Sequence, residues 1–298
     1  MEPTKEQYII VAYHYVRDPD PKWTGIHSCS IREFDRQIKL LSEQFKIVSV
    51  SEVAEAARQA RAGKFCAITF DDGLLDNYQN ALPVLEKYGA KATFFIITSV
   101  FDGGVPLTHK LHALFSQASA GELIDIFNQW AAGRYSIPKD KRLDQRRVHG
   151  DILTNNFKET MVMLDEDTRK NFLDFCFQKF RINEPLLNKQ LFMTREQVVD
   201  MKRRGMIIGS HSHSHHSFES LKAPEAEDDV FRSNESLTKL LGRTPDVFCY
   251  PHGRHSKVTP VILQQAGFSY AVVIERRAVS KNDDSFLLPR YDANDLRA

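Results

Sequence analysis

No charge of one sign dominates this chain of 298 residues: 40 lysines and arginines face 39 aspartates and glutamates, a formal net charge of +1. With no long basic run and no basic amphipathic stretch either, nothing asks for nucleic acid or a membrane surface. Cysteine is scarce, and Cys29, Cys66, Cys176 and Cys249 stand far apart without a CxxC pair. They read as reduced thiols, three of them inside apolar runs. No segment reaches the roughly 18 apolar residues of a membrane span. The charged start, Met1–Gln7, leads straight into strand-like Tyr8–Val16 without the positive and apolar regions of a leader. The expectation is a soluble cytoplasmic protein. Internal repeats and low-complexity tracts are missing as well.

What is present is a regular alternation of strand and helix. Tyr8–Tyr13, Ile47–Val50, Phe65–Phe70, Ala92–Ile97, Met206–Ile208, Val247–Tyr250 and Tyr270–Ile274 are apolar β-type runs, and Leu287–Asp292 is a final short segment. Runs of this kind mark strands covered on both faces. Between them lie helical patterns: one opened by Ser30-Ile31-Arg32-Glu33, one started at Ser51, Tyr78–Tyr88 ended by Gly89, one capped at Thr194, Phe231–Leu241, and Pro260–Ala266. The alternation predicts an α/β parallel sheet or barrel with its chemistry at the carboxyl ends of the strands.

From about residue 102 to 192 the rhythm changes. Leu111, Leu114, Phe115, Leu123, Ile124, Phe127, Phe172, Phe175 and Phe180 recur at helical spacing and β-runs are lacking. The stretch reads as a helical insertion in a single domain spanning 1–298. His109 and His112 within it are expected to be surface or packing residues, and the charged run Lys139–Arg147 a solvated face.

Three strand ends carry polar clusters. Asp71-Asp72-Gly73 follows Phe70, and two adjacent carboxylates are costly unless a cation or a shared proton compensates them. His211 and His215, four apart beyond the Ile207–Gly209 strand, can reach one ion, while His213 points elsewhere. Tyr250-Pro251-His252-Gly253 ends a third strand. Two imidazoles and one carboxylate suit a divalent metal with open positions, and the second carboxylate can act as a general base.

Together these segments resemble the polysaccharide deacetylase family, also called the NodB homology domain or carbohydrate esterase family 4. Thr69-Phe70-Asp71-Asp72-Gly73 is similar to its first motif, His211-Ser212-His213-Ser214-His215 to its second, and Phe248–Gly253 to a variant of its third. The resemblance covers roughly residues 8–101 and 193–292. It implies a distorted (β/α) barrel of about seven strands, with Asp72, His211 and His215 as metal ligands and Asp71 as the base for the attacking water. It also implies that the His252 backbone N–H helps hold an oxyanion; Tyr250, Pro251 and Gly253 are read as lining the sugar site. Zn²⁺ is the default cation, with Fe²⁺, Co²⁺, Ni²⁺ or Mn²⁺ as alternatives.

Two departures stand out. The family's third motif commonly begins with an arginine that pairs with the base, but Cys249 occupies that position; Arg290 is a substitute from another strand, or else a surface ion pair. The late Leu-x-His element that supplies the general acid is missing, and His14, in Tyr13-His14 at the end of the first strand, is the candidate in its place. Asp292 is a weak candidate to orient either one. The implied activity is metal-dependent N-deacetylation of an amino-sugar glycan, or of an intracellular glycan precursor such as a sugar nucleotide. The alternatives are a sugar O-acetyl esterase, an N-deformylase, or a catalytically silent glycan-binding domain.

Overall fold

The computed structural model describes residues 7–143 and 151–296. Residues 1–6 of the charged start and 144–147 of the charged run lie outside the described residues. Of that run, Lys139, Asp140 and Lys141 are exposed. Contacts divide the chain into two compact units. One comprises the chain up to Asp18, Ser28–Gly104 and everything from Asn188 on; the other comprises Pro19–His27 and Val105–Leu187.

The first unit is built on a parallel sheet. Its strands are β1 (Tyr8–Tyr13), β2 (Lys46–Ile47), β3 (Phe65–Phe70), β4 (Ala92–Ile96), β5 (Ile207–Ser210), β6 (Val247–Cys249), β7 (Tyr270–Val272) and β8 (Tyr291–Asp292). Their order is β7-β6-β5-β4-β3-β1-β8, with β2 paired to the start of β3. β4 and β5 are neighbours in register Thr93–Ile207 through Ile96–Ser210, although residues 97–206 separate them in the chain. The segment before β8 also pairs with β7: Leu288 N–H donates to Ala271 O, Val273 N–H to Leu288 O and Glu275 N–H to Arg290 O. Because β8 then pairs with β1, the sheet curls into the distorted (β/α) barrel expected from the sequence.

Helices α1 (Ile31–Gln44), α2 (Val50–Arg58), α3 (Leu82–Lys87), α9 (Arg195–Arg203), α10 (Ala223–Leu241) and α11 (Thr259–Gln265) belong to the same unit. Their faces bury Phe34, Ile38, Leu41, Leu82, Leu85, Val198 and Leu237 in one cluster with strand residues. Phe70 and Phe94 stack at 4.6 Å in that cluster, and the Tyr13 hydroxyl donates to Gln37 Oε1 at 2.8 Å. Each ring buried this fully contributes on the order of 2–3 kcal/mol by area.

Several local expectations are corrected. The cap of α2 is Ser49 rather than Ser51, because Ser49 forms the reciprocal box with Glu52. Ser30 caps α1, but Glu33 turns to Arg36 and Gln37 instead of closing the box. α10 starts eight residues earlier than its apolar pattern, at Ala223 beside Pro224. All four cysteines are free and buried.

The second unit holds α4 (Leu107–Phe115), α5 (Ala120–Ala131), α6 (Ile152–Met163) and α7 (Glu166–Lys179), and α8 (Glu184–Leu191) belongs to it up to Leu187. Phe172 meets Phe127 edge-on at 4.9 Å and Trp130 at 5.2 Å, and Phe115 meets Phe157 at 5.6 Å. Phe175, expected in this apolar set, is 39% exposed. His109 is buried in α4, and among the described residues it joins no set of three metal-competent side chains. Among the described residues no helix is long and apolar enough to cross a membrane.

Gly209 sits inside β5, where a Cβ would lie 2.6 Å from Phe95 Cδ1 and 2.8 Å from the Val247 carbonyl oxygen. The β6 backbone cannot retreat without breaking its ladder. Gly209→Ala is therefore expected to cost about 1–3 kcal/mol, read by urea denaturation; an unchanged midpoint would show that the sheet absorbs the methyl group.

Candidate metal and catalytic site

Every strand of a parallel sheet ends at the same rim, so the residues just past β1, β3, β5 and β6 converge. Asp71 continues the β3 ladder, its N–H donating to Tyr13 O at 2.9 Å, and His211 continues β5, its N–H donating to Ile96 O at 2.9 Å. Beyond these rungs the chain turns sharply. Asp72, Ser212, His215 and His252 all have left-handed backbones, with φ of 74°, 67°, 62° and 59°. Positive φ is uncommon for residues other than glycine and gathers where function over-determines the backbone.

The structure brings Asp72, His211 and His215 together. The Asp72 Oδ1 atom lies 3.4 Å from His211 Nε2 and 3.3 Å from His215 Nε2, and all three residues are buried. His211 Nδ1 is 2.8 Å from the Cys249 carbonyl oxygen, which can only accept. That bond places the proton on Nδ1 and the lone pair of Nε2 toward Asp72. One carboxylate oxygen and two imidazole nitrogens, one with its tautomer already set, fit a divalent transition metal. His213 does turn away, with its Nδ1 2.9 Å from Thr98 Oγ1.

The family pattern described as polysaccharide deacetylase matches residues 58–114 and 152–271. The chain belongs to the polysaccharide deacetylase family. The match takes in 102–114 and 152–192, which the motif-based resemblance had left out, and does not reach residues 8–57 or 272–292.

Among relatives, the chain is 21% identical over 262 residues to YxkH of Bacillus subtilis (strain 168), named as a candidate polysaccharide deacetylase; the alignment covers 87% of this chain. The chain spans only 63% of that relative's length. It is 24% identical over 280 residues to the poly-beta-1,6-N-acetyl-D-glucosamine N-deacetylase of Staphylococcus aureus (strain MRSA252), covering 90% of this chain and 69% of the other. Among solved structures, the Streptococcus pyogenes deacetylase PplD in complex with acetate superposes with a TM-score of 0.63 at 20% identity, over 97% of this chain and 93% of that one. IcaB from Ammonifex degensii gives 0.58 at 19% identity, over 96% and 91%. At such identities the structural likeness speaks for the fold.

Beside the metal-competent set, this family member holds a second buried carboxylate. Asp71 is gripped by Arg290 through two hydrogen bonds of 2.8 Å, Nη1 to Oδ1 and Nη2 to Oδ2. The remaining donors of Arg290 go to Val273 O, Thr69 Oγ1 and Cys249 Sγ. All five N–H groups of the fork are thus engaged. Of the two readings open for Arg290, the partner of Asp71 is the one realised, and no part of it is at the surface. Cys249 is small enough to lie 3.0 Å from the guanidinium, where a second arginine would set like charges side by side. Burial alone pushes the Asp71 carboxyl up, but the charge and hydrogen bonds of Arg290 overcome it and hold it at about 2.

His14 is half-exposed at the end of β1, with Nε2 3.7 Å from Asp71 Oδ2. Its backbone is braced from the π-helical turn Asn77–Ala81: Asn77 Nδ2 donates to His14 O and Asn80 Nδ2 to Val16 O, both at 2.8 Å. Asp76, just before that turn, accepts from Arg17 Nε at 2.8 Å, and burial still pushes its carboxyl up to about 6. No sequence signal singled out these three residues. Asp292 accepts from the backbone and side chain of Asn294 and orients neither His14 nor Arg290.

At the third strand end, His252 adjoins His215, with ring centroids 4.7 Å apart. The turn is tied by Gly253 N–H to Tyr250 O and Arg254 N–H to Pro251 O, which leaves the His252 N–H outside its hydrogen bonds. Gly253 has φ of 67°, and a Cβ there would meet Ile274 N at 2.8 Å. Tyr250 and Pro251, expected to line the sugar site, are both buried. The Tyr250 ring packs edge-on against Phe218 and Phe248, because its strand position points it into that apolar cluster.

Removing one partner of a buried pair strands the other, at a typical cost of about 3–5 kcal/mol. In the native chain the depressed Asp71 contributes stability that is present above the ordinary carboxylate range and lost as pH falls through about 2. In metal-free Arg290→Gln, burial is opposed only by the smaller charge effects of His211 and His14 and raises Asp71, so its penalty is present at pH 7 and relaxes as acid protonates the carboxyl. Urea denaturation at pH 7 and pH 5 should show the gap to wild type narrowing; an equal gap at both would mean that Asp71 is not left as an uncompensated charge.

Proposed function

We propose that the chain is a metal-dependent N-deacetylase of amino-sugar glycans that releases acetate. The observation that carries this reading is the side-by-side placement of two differently compensated carboxylates: Asp72 with His211 and His215, and Asp71 with Arg290. Asp72, His211 and His215 would hold the cation, with Zn²⁺ as the first choice. A bound divalent cation supplies Lewis acidity, drawing charge from a carbonyl oxygen and lowering the pKa of water.

Asp71, ionised across the physiological range, takes a proton from the attacking water, and Arg290 keeps its carboxylate turned and charged. The water oxygen bonds to the acetyl carbon, and the His252 N–H donates to the oxyanion that develops. The C–N bond then breaks, the electron pair stays on nitrogen, and His14 delivers the proton that makes the leaving amine. Acetate and a free amino sugar result. The helical unit is read as an insertion in one catalytic domain.

A polymer of N-acetylglucosamine is the first substrate to test, because the Staphylococcus aureus relative is named for that activity. A cytoplasmic precursor of such a glycan, the compartment expected from the sequence, is the second arm of the same assay.

Zn²⁺-loaded protein should release acetate from N-acetylglucosamine oligomers or sugar nucleotides. Asp71→Asn should lower the rate on the order of 10²–10⁴-fold, and His211→Ala should abolish metal-dependent turnover. Formate release, or acetate from O-acetylated sugars alone, would replace the N-acetyl reading. No release of any acid from metal-loaded protein would sink hydrolysis.

A further inference from the structure

The two imidazoles at the site are carried by a five-residue loop whose shape is held from outside. Ser212 and His215 both need left-handed backbones, with φ of 67° and 62°, and neither is a glycine. Part of the support is internal: Ser212 Oγ accepts from His215 N–H at 2.9 Å, and Ser210 Oγ accepts from Ser212 N–H at 3.2 Å. On one side, beyond β4, Thr98 N–H donates to Ser212 O and Ser99 N–H to His213 O, both at 3.1 Å.

On the other side stands α10. Asp229 on that helix is 7% exposed, yet its carboxylate faces three donors of the loop. Oδ1 accepts from His213 N–H at 2.7 Å; Oδ2 accepts from Ser214 N–H at 3.1 Å and from the Ser214 hydroxyl. One turn further, buried Ser233 donates to Val230 O at 2.8 Å and lies 2.9 Å from Ser210 Oγ. The hydroxyls therefore run in one direction, from Ser212 N–H through Ser210 and Ser233 to the helix carbonyl. Charge-assisted bonds to a withdrawn carboxylate are the stronger kind and they lose most when broken. His213 and Ser214, the residues so held, sit between His211 and His215.

We propose that Asp229 is a positioning residue for the metal centre, fixing the His213–Ser214 backbone so that His211 and His215 face Asp72 before a cation arrives. This rests on the metal reading above. Asparagine at 229 keeps the shape, but its amide nitrogen would confront the loop's own donors, so the loss is specific to the carboxylate.

The test is calorimetric titration of Zn²⁺ into metal-free protein, with the visible spectrum of the Co²⁺ form as a second readout. Wild type, Asp229→Asn, Ser214→Ala and the double variant are compared, with His211→Ala as control. Asp229→Asn is expected to bind Zn²⁺ on the order of 10- to 100-fold more weakly and to shift the Co²⁺ bands. The double variant should lose less than the product of the single losses, since both substitutions cut the same contact. Zn²⁺ affinity within twofold of wild type and an unchanged Co²⁺ spectrum in folded Asp229→Asn would overturn the assignment. If that variant does not fold, Ser214→Ala decides, with weaker binding supporting the role and unchanged binding overturning it. Wild type without stoichiometric binding, or His211→Ala binding equally well, would overturn the metal reading and this inference with it.

Discussion

Two neighbouring carboxylates are withdrawn from water at the end of β3, and the surrounding structure answers each in a different way. Asp71 is 3% exposed and Asp72 is 4% exposed. Burying one ionised carboxylate costs several kcal/mol, and adjacent like charges add to it. Arg290 neutralises Asp71 from within the protein, using a rigid fork whose every donor is occupied. Asp72 instead faces two imidazole nitrogens, a donor set that fits a divalent cation. The same dipeptide thereby offers one carboxylate held ionised by an arginine and one that fits a metal-competent set.

This division depends on barrel closure. Arg290 comes from the segment that bridges β7 and β8, and its carbonyl accepts from Glu275 N–H across that seam. A sheet left open between β7 and β8 would have no reason to deliver a guanidinium beside Asp71. The seam is thus part of the site's electrostatics as well as of the core. The loops that carry His211, His215 and His252 show the opposite strategy. Their left-handed residues cost of order 1–3 kcal/mol each, and the loop of His211 and His215 is held by its own N–H groups donating to serine hydroxyls and to the Asp229 carboxylate.

Much of this was legible in the chain. The apolar β-runs and the capped helical patterns between them disclosed the α/β alternation, because a strand buried on both faces has few residue types open to it. Asp71-Asp72-Gly73 and the His211–His215 spacing were readable as chemistry because their members are adjacent or four apart. Boundaries were less legible: Ser49 and Ser51 both look like caps, and only the reciprocal bond with Glu52 distinguishes them. The place of Tyr250 was not legible, because an aromatic beside a motif looks the same in sequence whether its ring faces the site or the core. Asp229 and Asn77 carried no signal, since an acidic residue in an acidic helix and an asparagine in a turn are ordinary.

The sequence by itself determined the elements, their alternation and the chemical identity of the groups at the strand ends, since these follow from local periodicity and short spacings. The tertiary structure decided which distant groups meet: Arg290 with Asp71, Asp229 with the histidine loop, Asn77 with the backbone of His14. Those contacts join residues 219, 16 and 63 positions apart. No local preference encodes such a pairing; it arises when parallel strands in fixed register bring their ends to one rim and the buried charges there take the partners within reach.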